Sequence, residues 1–502
     1  MLSDRTKMFV TSFSEEVTGS NNHVKVEWTD GREVAFVVDC GLFQEKEHNH
    51  RNAEKLPYKA ENIAFAIATH VHTDHVGMFP KLAKEGFNGP LYTSYETAEI
   101  LPVVLEESYE RLEDDYRTQY KRYIRQKEAK KLEKTRGRGH GKKDKPRRES
   151  KKKEKGPEMP HLFYERKHIE KIINHTEVVD LYETFSPYPG IEITFYPNAH
   201  IAGAVLTVCR IFSETEEMHL LFTGDLGLTN PVTNVVTEIP KEVADKISFI
   251  VCESTYGSSE THRNDEKQRE KHMDIISEVA SKKGTIMYMS NSLERPERVG
   301  VDLRQMQQNS RISESMKKFN IFLDSTFGVK CLSKYLHIYG DSYLPANFKV
   351  VDKTSRGQIF AEHGPRMIIC TSPRFYQGSF LNYGAKMLED PNVTLIFVAY
   401  VPPEVQNIIA LPCGTEINFM GERIKLRCKR YQLGYYSSHV PTEGMDHFLA
   451  QFWKVKAILF NHGVNESKVN YAKRYNALCK QTHALLYGRT VLLTSDGIEK
   501  YF

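Results

Sequence analysis

Short apolar runs that stop abruptly at polar residues recur along the first half of the chain. Val34-Ala35-Phe36-Val37-Val38 ends at Asp39-Cys40-Gly41, and Ile63-Ala64-Phe65-Ala66-Ile67-Ala68 ends at Thr69-His70. Each reads as a buried strand with a polar end. Ile191-Glu192-Ile193-Thr194-Phe195-Tyr196 and His219-Leu220-Leu221-Phe222-Thr223 read the same way, the latter running into Gly224-Asp225. From about Glu106 a helical stretch rich in Tyr, Arg and Lys leads to Gly137-Arg138-Gly139-His140-Gly141 and a Lys/Arg block ending at Gly156-Pro157. That tip has almost nothing apolar to set against its ordering entropy, so disorder is expected there. A second α/β pattern occupies roughly 258–428, with strands at Thr285-Ile286-Met287-Tyr288-Met289, Asn320-Ile321-Phe322-Leu323-Asp324 and Thr394-Leu395-Ile396-Phe397-Val398. Polar strand ends then resume over 429–502. Three segments follow: 1–257, an inserted 258–428, and a completing 429–502. Layered α/β proteins place their chemistry on loops at such strand ends.

Composition changes this picture in one place. Of 502 residues 40% are hydrophobic and 27% charged, which are globular values. No apolar run approaches the roughly 18 residues of a membrane span, and the N-terminus reads unlike a signal peptide, so a cytoplasmic protein is expected, nuclear if eukaryotic. Eight scattered cysteines without a C-x-x-C pair point to reduced core thiols. The net charge of +4 is uneven: residues 117–156 hold 19 Lys/Arg against 5 Asp/Glu, leaving the rest of the chain at −10. A charge run is ordinarily a solvated loop; beside a nucleic-acid site it attracts phosphate without reading sequence. The near-helical spacing of Tyr116, Tyr120 and Tyr123 predicts packing against the domain rather than base stacking.

The sharpest chemical signal is Thr69-His70-Val71-His72-Thr73-Asp74-His75, three imidazoles and a carboxylate within six residues of a strand end. Zinc takes such ligands, and a catalytic site keeps a position open for water. Alternation in extended backbone lets His70 and His72 point together, while Asp74 and His75 follow on the turn, dividing the set between two metals. This pattern resembles the metallo-β-lactamase superfamily. Asp39 then matches its first motif, a carboxylate that orients ligands; His200 in Asn198-Ala199-His200 matches the third; and Asp225 matches the bridging fourth. The resemblance implies an αββα sandwich and two Zn²⁺ per chain, with His70, His72 and His200 on one and Asp74 and His75 on the other. Asp225 and a hydroxide would bridge them.

The next suitable histidine, His439, lies 214 residues beyond Asp225, so something domain-sized intervenes. Glu253-Ser254-Thr255-Tyr256-Gly257 resembles the motif that opens a β-CASP insert; Ser437-Ser438-His439 resembles its second motif and Phe460-Asn461-His462-Gly463 its third. The implied fold is a metallo-β-lactamase sandwich with an inserted α/β β-CASP domain. The implied activity is a zinc-dependent nuclease, with His439 supplying the leaving-group proton, Glu253 orienting it, and His462 completing the second zinc. A histidine at the third motif goes with RNA-acting members, so RNA is the expected substrate and RNA processing or decay the expected setting. Where the family has F-A-x-G-R-x-Q-E, this chain keeps Arg295 within Asn291-Ser292-Leu293-Glu294-Arg295-Pro296-Glu297 but loses the glycine and the glutamine. Where it has S-G-M, this chain has Thr371-Ser372-Pro373. Arg295, Ser372 and Ser437 are the candidate substrate contacts. A DNA-directed nuclease and a small-ester or thioester hydrolase are the alternatives; a dead scaffold is disfavoured by the complete ligand set. A homodimer is left open.

Overall fold

The computed structural model describes residues 5–136, 162–258, 264–291, 293–361, 363–371, 375, 378–398, 401, 403–479 and 481–502, with side chains in 129–136 and at 403–404 left out. The expected disorder at the basic tip and the candidate contact Ser372 therefore lie outside the described residues.

Two mixed sheets face each other. In order across the first lie strands Gly497–Tyr501, Thr490–Thr494, Lys7–Ser12, Asn22–Glu27, Glu33–Val38, Ile63–Ile67, Leu91–Thr93 and Thr176–Val178. The second runs Thr482–Ala484, Ala457–Asn461, Phe249–Glu253, Glu217–Phe222, Val205–Phe212, Ile191–Pro197 and Thr184–Tyr188. Alternation along these strands turns one set of side chains inward. Val24, Phe36, Val38, Phe65 and Ile67 thereby meet Ile193, Phe195, Leu220, Phe222 and Val251 in one core between the sheets. Each such side chain is worth about 1.5–3 kcal/mol on full burial. Helices cover both outer faces: Phe79–Lys84, Arg166–Asn174 and the first turns of Tyr95–Arg136 pack on the first sheet, and Thr442–Leu449 and Asn465–Arg474 on the second. The result is an αββα sandwich.

The chain leaves the second sheet after Phe249–Glu253 and returns to it at Ala457–Asn461, which pairs with that same strand in parallel. Between them stands a six-stranded parallel sheet in the order Phe348–Val351, Asn320–Asp324, Arg366–Cys370, Thr285–Met289, Val393–Phe397 and Lys429–Gln432. Helices Asp265–Ser281, Arg295–Gln308 and Thr326–Tyr339 pack one of its faces, and Gly384–Glu389 and Pro403–Ala410 the other. Its edge strand Lys429–Gln432 begins just past the expected boundary at 428. The expected strands recur within a residue or two.

All eight cysteines are free, seven buried and Cys413 exposed. Among the described residues no helix is long and apolar enough to cross a membrane.

Candidate metal centre and active site

Strands Glu33–Val38 and Ile63–Ile67 run parallel, as do Glu217–Phe222, Phe249–Glu253 and Ala457–Asn461. Ile191–Pro197 lies two antiparallel steps from Glu217–Phe222 and so points the same way. The polar residues that stop these runs therefore collect along one edge of the sandwich: Asp39, His70 and His72 from one sheet, His200, Asp225, Glu253 and His462 from the other.

The ligating atoms of His70, His72, His200 and Asp225 lie within 4.8 Å of one another, as do those of Asp74, His75, Asp225 and His462. Asp225 belongs to both groups. His72 Nδ1 sits 3.0 Å from His70 Nε2 and 3.3 Å from His200 Nε2, and Asp225 Oδ2 is 3.7 and 3.5 Å from the same two nitrogens. In the second group Asp225 Oδ1 is 3.2 Å from His75 Nε2 and 3.1 Å from His462 Nδ1, and Asp74 Oδ2 is 3.8 Å from His462 Nε2. Tetrahedral ligands about 2.0–2.1 Å from zinc stand roughly 3.3 Å apart, so both groups have the right span. His75 Nε2, His462 Nε2 and Asp225 Oδ1 are buried and, although close to one another, are in no well-aligned hydrogen bond among the described residues. Buried polar atoms are normally paired, and a cation is the partner this donor set fits.

The surroundings orient the ligands. His75 Nδ1 donates to Asp39 Oδ2 at 2.7 Å, which turns Nε2 toward Asp225. Asp39 Oδ1 also accepts the Thr69 N–H at 2.9 Å, and the Thr69 hydroxyl lies 3.1 Å from His70 Nδ1. The Asn198 amide donates to the Thr223 and Asp225 carbonyls while its oxygen accepts the His200 N–H, joining two ligand loops. Asp39 and His462 both hold positive φ, 64° and 41°. Such left-handed backbone is costly for these side chains and is typically kept where function requires it.

Electrostatics follow burial and the crowding of charge. Burial, reinforced by the charge of His75, drives His70 well below the ordinary imidazole range; burial and His439 do the same to His200. Burial takes His72 down to about 4. Neutral imidazoles are the metal-binding form. Burial opposes protonation of His75, but the carboxylates of Asp225 and Asp39 outweigh it and hold that ring well above its usual value. Asp225 is likewise raised by burial and lowered further by His462 and His75, ending well below the usual carboxylate range.

His439 stands across the cluster. Its Nδ1 lies 3.1 and 3.2 Å from the Glu253 oxygens, and its Nε2 is 3.9 Å from Asp225 Oδ2. Glu253 is itself fixed by the Leu226 N–H at 2.6 Å. Burial would lower the His439 ring, but Glu253 and then Asp225 lift it to about 9.

The profile for the metallo-beta-lactamase superfamily matches residues 26–267. The chain carries a metallo-β-lactamase superfamily domain. Ribonuclease TTHA0252 of Thermus thermophilus is 23% identical over 477 residues, covering 92% of this chain and 94% of that protein. Transcription termination factor FttA of Methanosarcina mazei is 23% identical over 485 residues, covering 92% of this chain and 68% of the relative. Cleavage and polyadenylation specificity factor subunit 3-II of Arabidopsis thaliana is 23% identical over 458 residues, covering 87% and 65%.

Within the metallo-β-lactamase domain and the segments that complete its sheets, all seven expected metal ligands meet at one place. Of the candidate substrate contacts, Arg295 reaches Ser438 Oγ with Nη2 at 3.3 Å, which puts it at the rim beside His439. Ser437 accepts from the Tyr256 hydroxyl at 2.7 Å and from the His439 N–H at 3.3 Å, so it braces the His439 loop. Thr69, Asn198 and Tyr256 escaped the sequence reading as site residues, although each adjoins a motif position. Glu294 and Arg298 escaped it for a different reason: only the fold shows that they reach the loop of His200.

Proposed function

We propose that the chain is a metal-dependent ribonuclease that binds two zinc ions and hydrolyses RNA phosphodiester bonds, most simply as an endonuclease in RNA processing or decay. The observation that carries this reading is one carboxylate, Asp225, shared by two ligand groups, with the His439–Glu253 pair facing it across the cleft. Bound there, two zinc ions would acidify a water and neutralise phosphoryl charge. The chain's own residues do the rest. Glu253 holds the proton on His439 Nδ1, which leaves Nε2 to face the reacting centre and protonate the departing oxygen. Arg295 and the outer half of helix Tyr95–Arg136 would grip phosphates. The relatives' printed names, a ribonuclease and a cleavage factor subunit among them, favour RNA over DNA or a small ester. The division at about 257 and 428 would make the inserted unit the substrate-gripping β-CASP domain.

The test combines metal analysis with matched substrates. Purified protein should contain two zinc ions per chain and cleave an RNA oligonucleotide in preference to its DNA counterpart and to a thioester. Asp225→Asn should lose both ions and the activity, because the shared carboxylate serves both sites. Active protein holding one ion or none, or cleaving DNA as well as RNA, refutes the reading.

A further inference from the structure

The loop carrying His200 is held from the inserted unit by two residues. Glu294 has φ 56° and ψ −22° at the start of helix Arg295–Gln308, the left-handed backbone that suits the glycine expected at this motif position. Its carboxylate is buried between the two units. Oε2 accepts the Ala202 N–H at 2.5 Å and the Tyr335 hydroxyl at 2.7 Å. Oε1 accepts Asn230 Nδ2 at 2.8 Å and Arg298 Nε at 2.9 Å. Ala202 is two residues past His200, and Asn230 five past Asp225. Arg298, also buried, donates Nη2 to the His200 carbonyl at 2.6 Å and lies 3.4 Å from that of Ala199. The Asn198 side chain takes the His200 N–H on the other side at 3.1 Å. Both ends of this ligand's backbone are therefore pinned, one of them by a residue nearly a hundred positions away.

We propose that Glu294 and Arg298 are positioning residues: a buried ion pair by which the inserted unit sets His200 and hence the three-histidine half of the metal centre. The geometry makes the pair specific to that half. Arg298 holds the His200 peptide and Glu294 the turn behind it, whereas His75 and His462 are met by Asp39 and Thr255 of the sandwich. A guanidinium fork is suited to this task because its planar donors meet the carboxylate and a carbonyl at once, which an ammonium on a flexible stem does not. Partners that orient a metal ligand typically alter affinity by about 10–100-fold. The pair also ties metal affinity to the seating of the unit that carries Arg295.

This rests on reading the ligand set as a two-metal centre, and the test separates the two. Apoprotein is titrated with Zn²⁺ against a chelating indicator, and with Co²⁺ while its visible bands are recorded. Arg298→Met leaves Glu294 as a lone buried charge and can fail to fold, so the double variant Glu294→Gln/Arg298→Met, which removes both charges at similar volume, is measured with it. Fold is checked by circular dichroism. In the double variant one of the two ions should bind about 10–100-fold more weakly with a changed cobalt spectrum, while the other keeps its affinity. Two unaltered affinities in the folded double variant, or equal loss at both sites, overturn the positioning role and leave the metal centre standing. A wild-type chain that takes up fewer than two ions overturns the centre and the positioning role together.

Discussion

At His439 the chemistry turns on which ring nitrogen faces the cleft. Glu253 occupies Nδ1 from 3.1 Å, and the opposite nitrogen looks toward Asp225. Under the proposed function, such a ring keeps its Nδ1 proton on Glu253 and turns the other nitrogen to the substrate. If the proposed function holds, His439→Ala should keep its bound metal and the folded spectrum while slowing RNA cleavage by about 10²–10⁴-fold. A substrate with a more acidic leaving group should recover much of that loss in single-turnover assays; no recovery would show that His439 binds or supports and transfers no proton. The positions that gather at this edge of the sandwich were legible in the sequence because strand ends and motif spacing fix them: His70, His200, Asp225 and His462 follow apolar runs, and His72, Asp74 and His75 the turn just beyond His70. Glu294 was not. Its side chain reads as an ordinary surface carboxylate at a helix start, and neither its left-handed backbone nor the four donors around it can be seen without the partner unit.

Among the elements, the short turn Gly434–Tyr436 matters most for the site, since it delivers Ser437, Ser438 and His439 to the rim. Its hold is a buried polar network. Asp302 on helix Arg295–Gln308 accepts from the hydroxyls of Tyr435 and Tyr436 at 2.5 and 2.6 Å and lies 3.0 Å from Arg269. His272, on helix Asp265–Ser281, meets the hydroxyls of Tyr435 and Tyr288, each at 2.8 Å. Burial works against the Asp302 charge, but the hydrogen bonds from His272 and the two tyrosines keep its carboxyl below the usual range. Asp302→Asn swaps an acceptor for an amide that cannot satisfy all these donors. It should cost about 1–3 kcal/mol in urea unfolding and reduce cleavage while leaving zinc content intact. An unchanged midpoint would mean that the network does not hold the turn. Elements with apolar strands were predictable from their runs. The edge strand Lys429-Arg430-Tyr431-Gln432 was not, because an edge strand needs no second apolar face and its polar residues hide it. The long helix starts at Tyr95 instead of about Glu106 and tolerates Pro102, whose ring ordinarily signals a break.

On the scale of the whole molecule, helix Tyr95–Arg136 divides into two halves with different surroundings. Its first turns bury Ile100, Leu101, Val104 and Leu105 on the sandwich, and Glu99 meets Lys334 of the inserted unit at 3.0 Å. From Glu113 to Glu128 no residue is buried. Among the described residues, Tyr116, Tyr120 and Tyr123 lie against one another along the helix, with ring centroids 5.9 and 6.1 Å apart, and join none of the domain's apolar clusters, where their spacing predicted packing. The 113–136 stretch, at about 1.5 Å per residue, extends roughly 35 Å. Over 117–128 it carries Arg117, Lys121, Arg122, Arg125 and Lys127 against Glu128 alone. Under the proposed function, a basic rod with Tyr120 exposed on it suits RNA backbone, with that ring available for stacking on bases. Deleting Lys127–Lys155 removes 15 Lys/Arg and 5 Asp/Glu. Zinc content and turnover of a short oligonucleotide should then stay close to wild type, while long RNA binds more weakly and with a flatter dependence on salt. If four of the removed cations meet phosphates of a single strand, the slope of log affinity against log salt should fall by about 3. Filter binding of a long RNA across a salt series reads both quantities, and a deletion that preserves affinity and slope together would show that the basic segment is a solvated surface with no part in substrate capture.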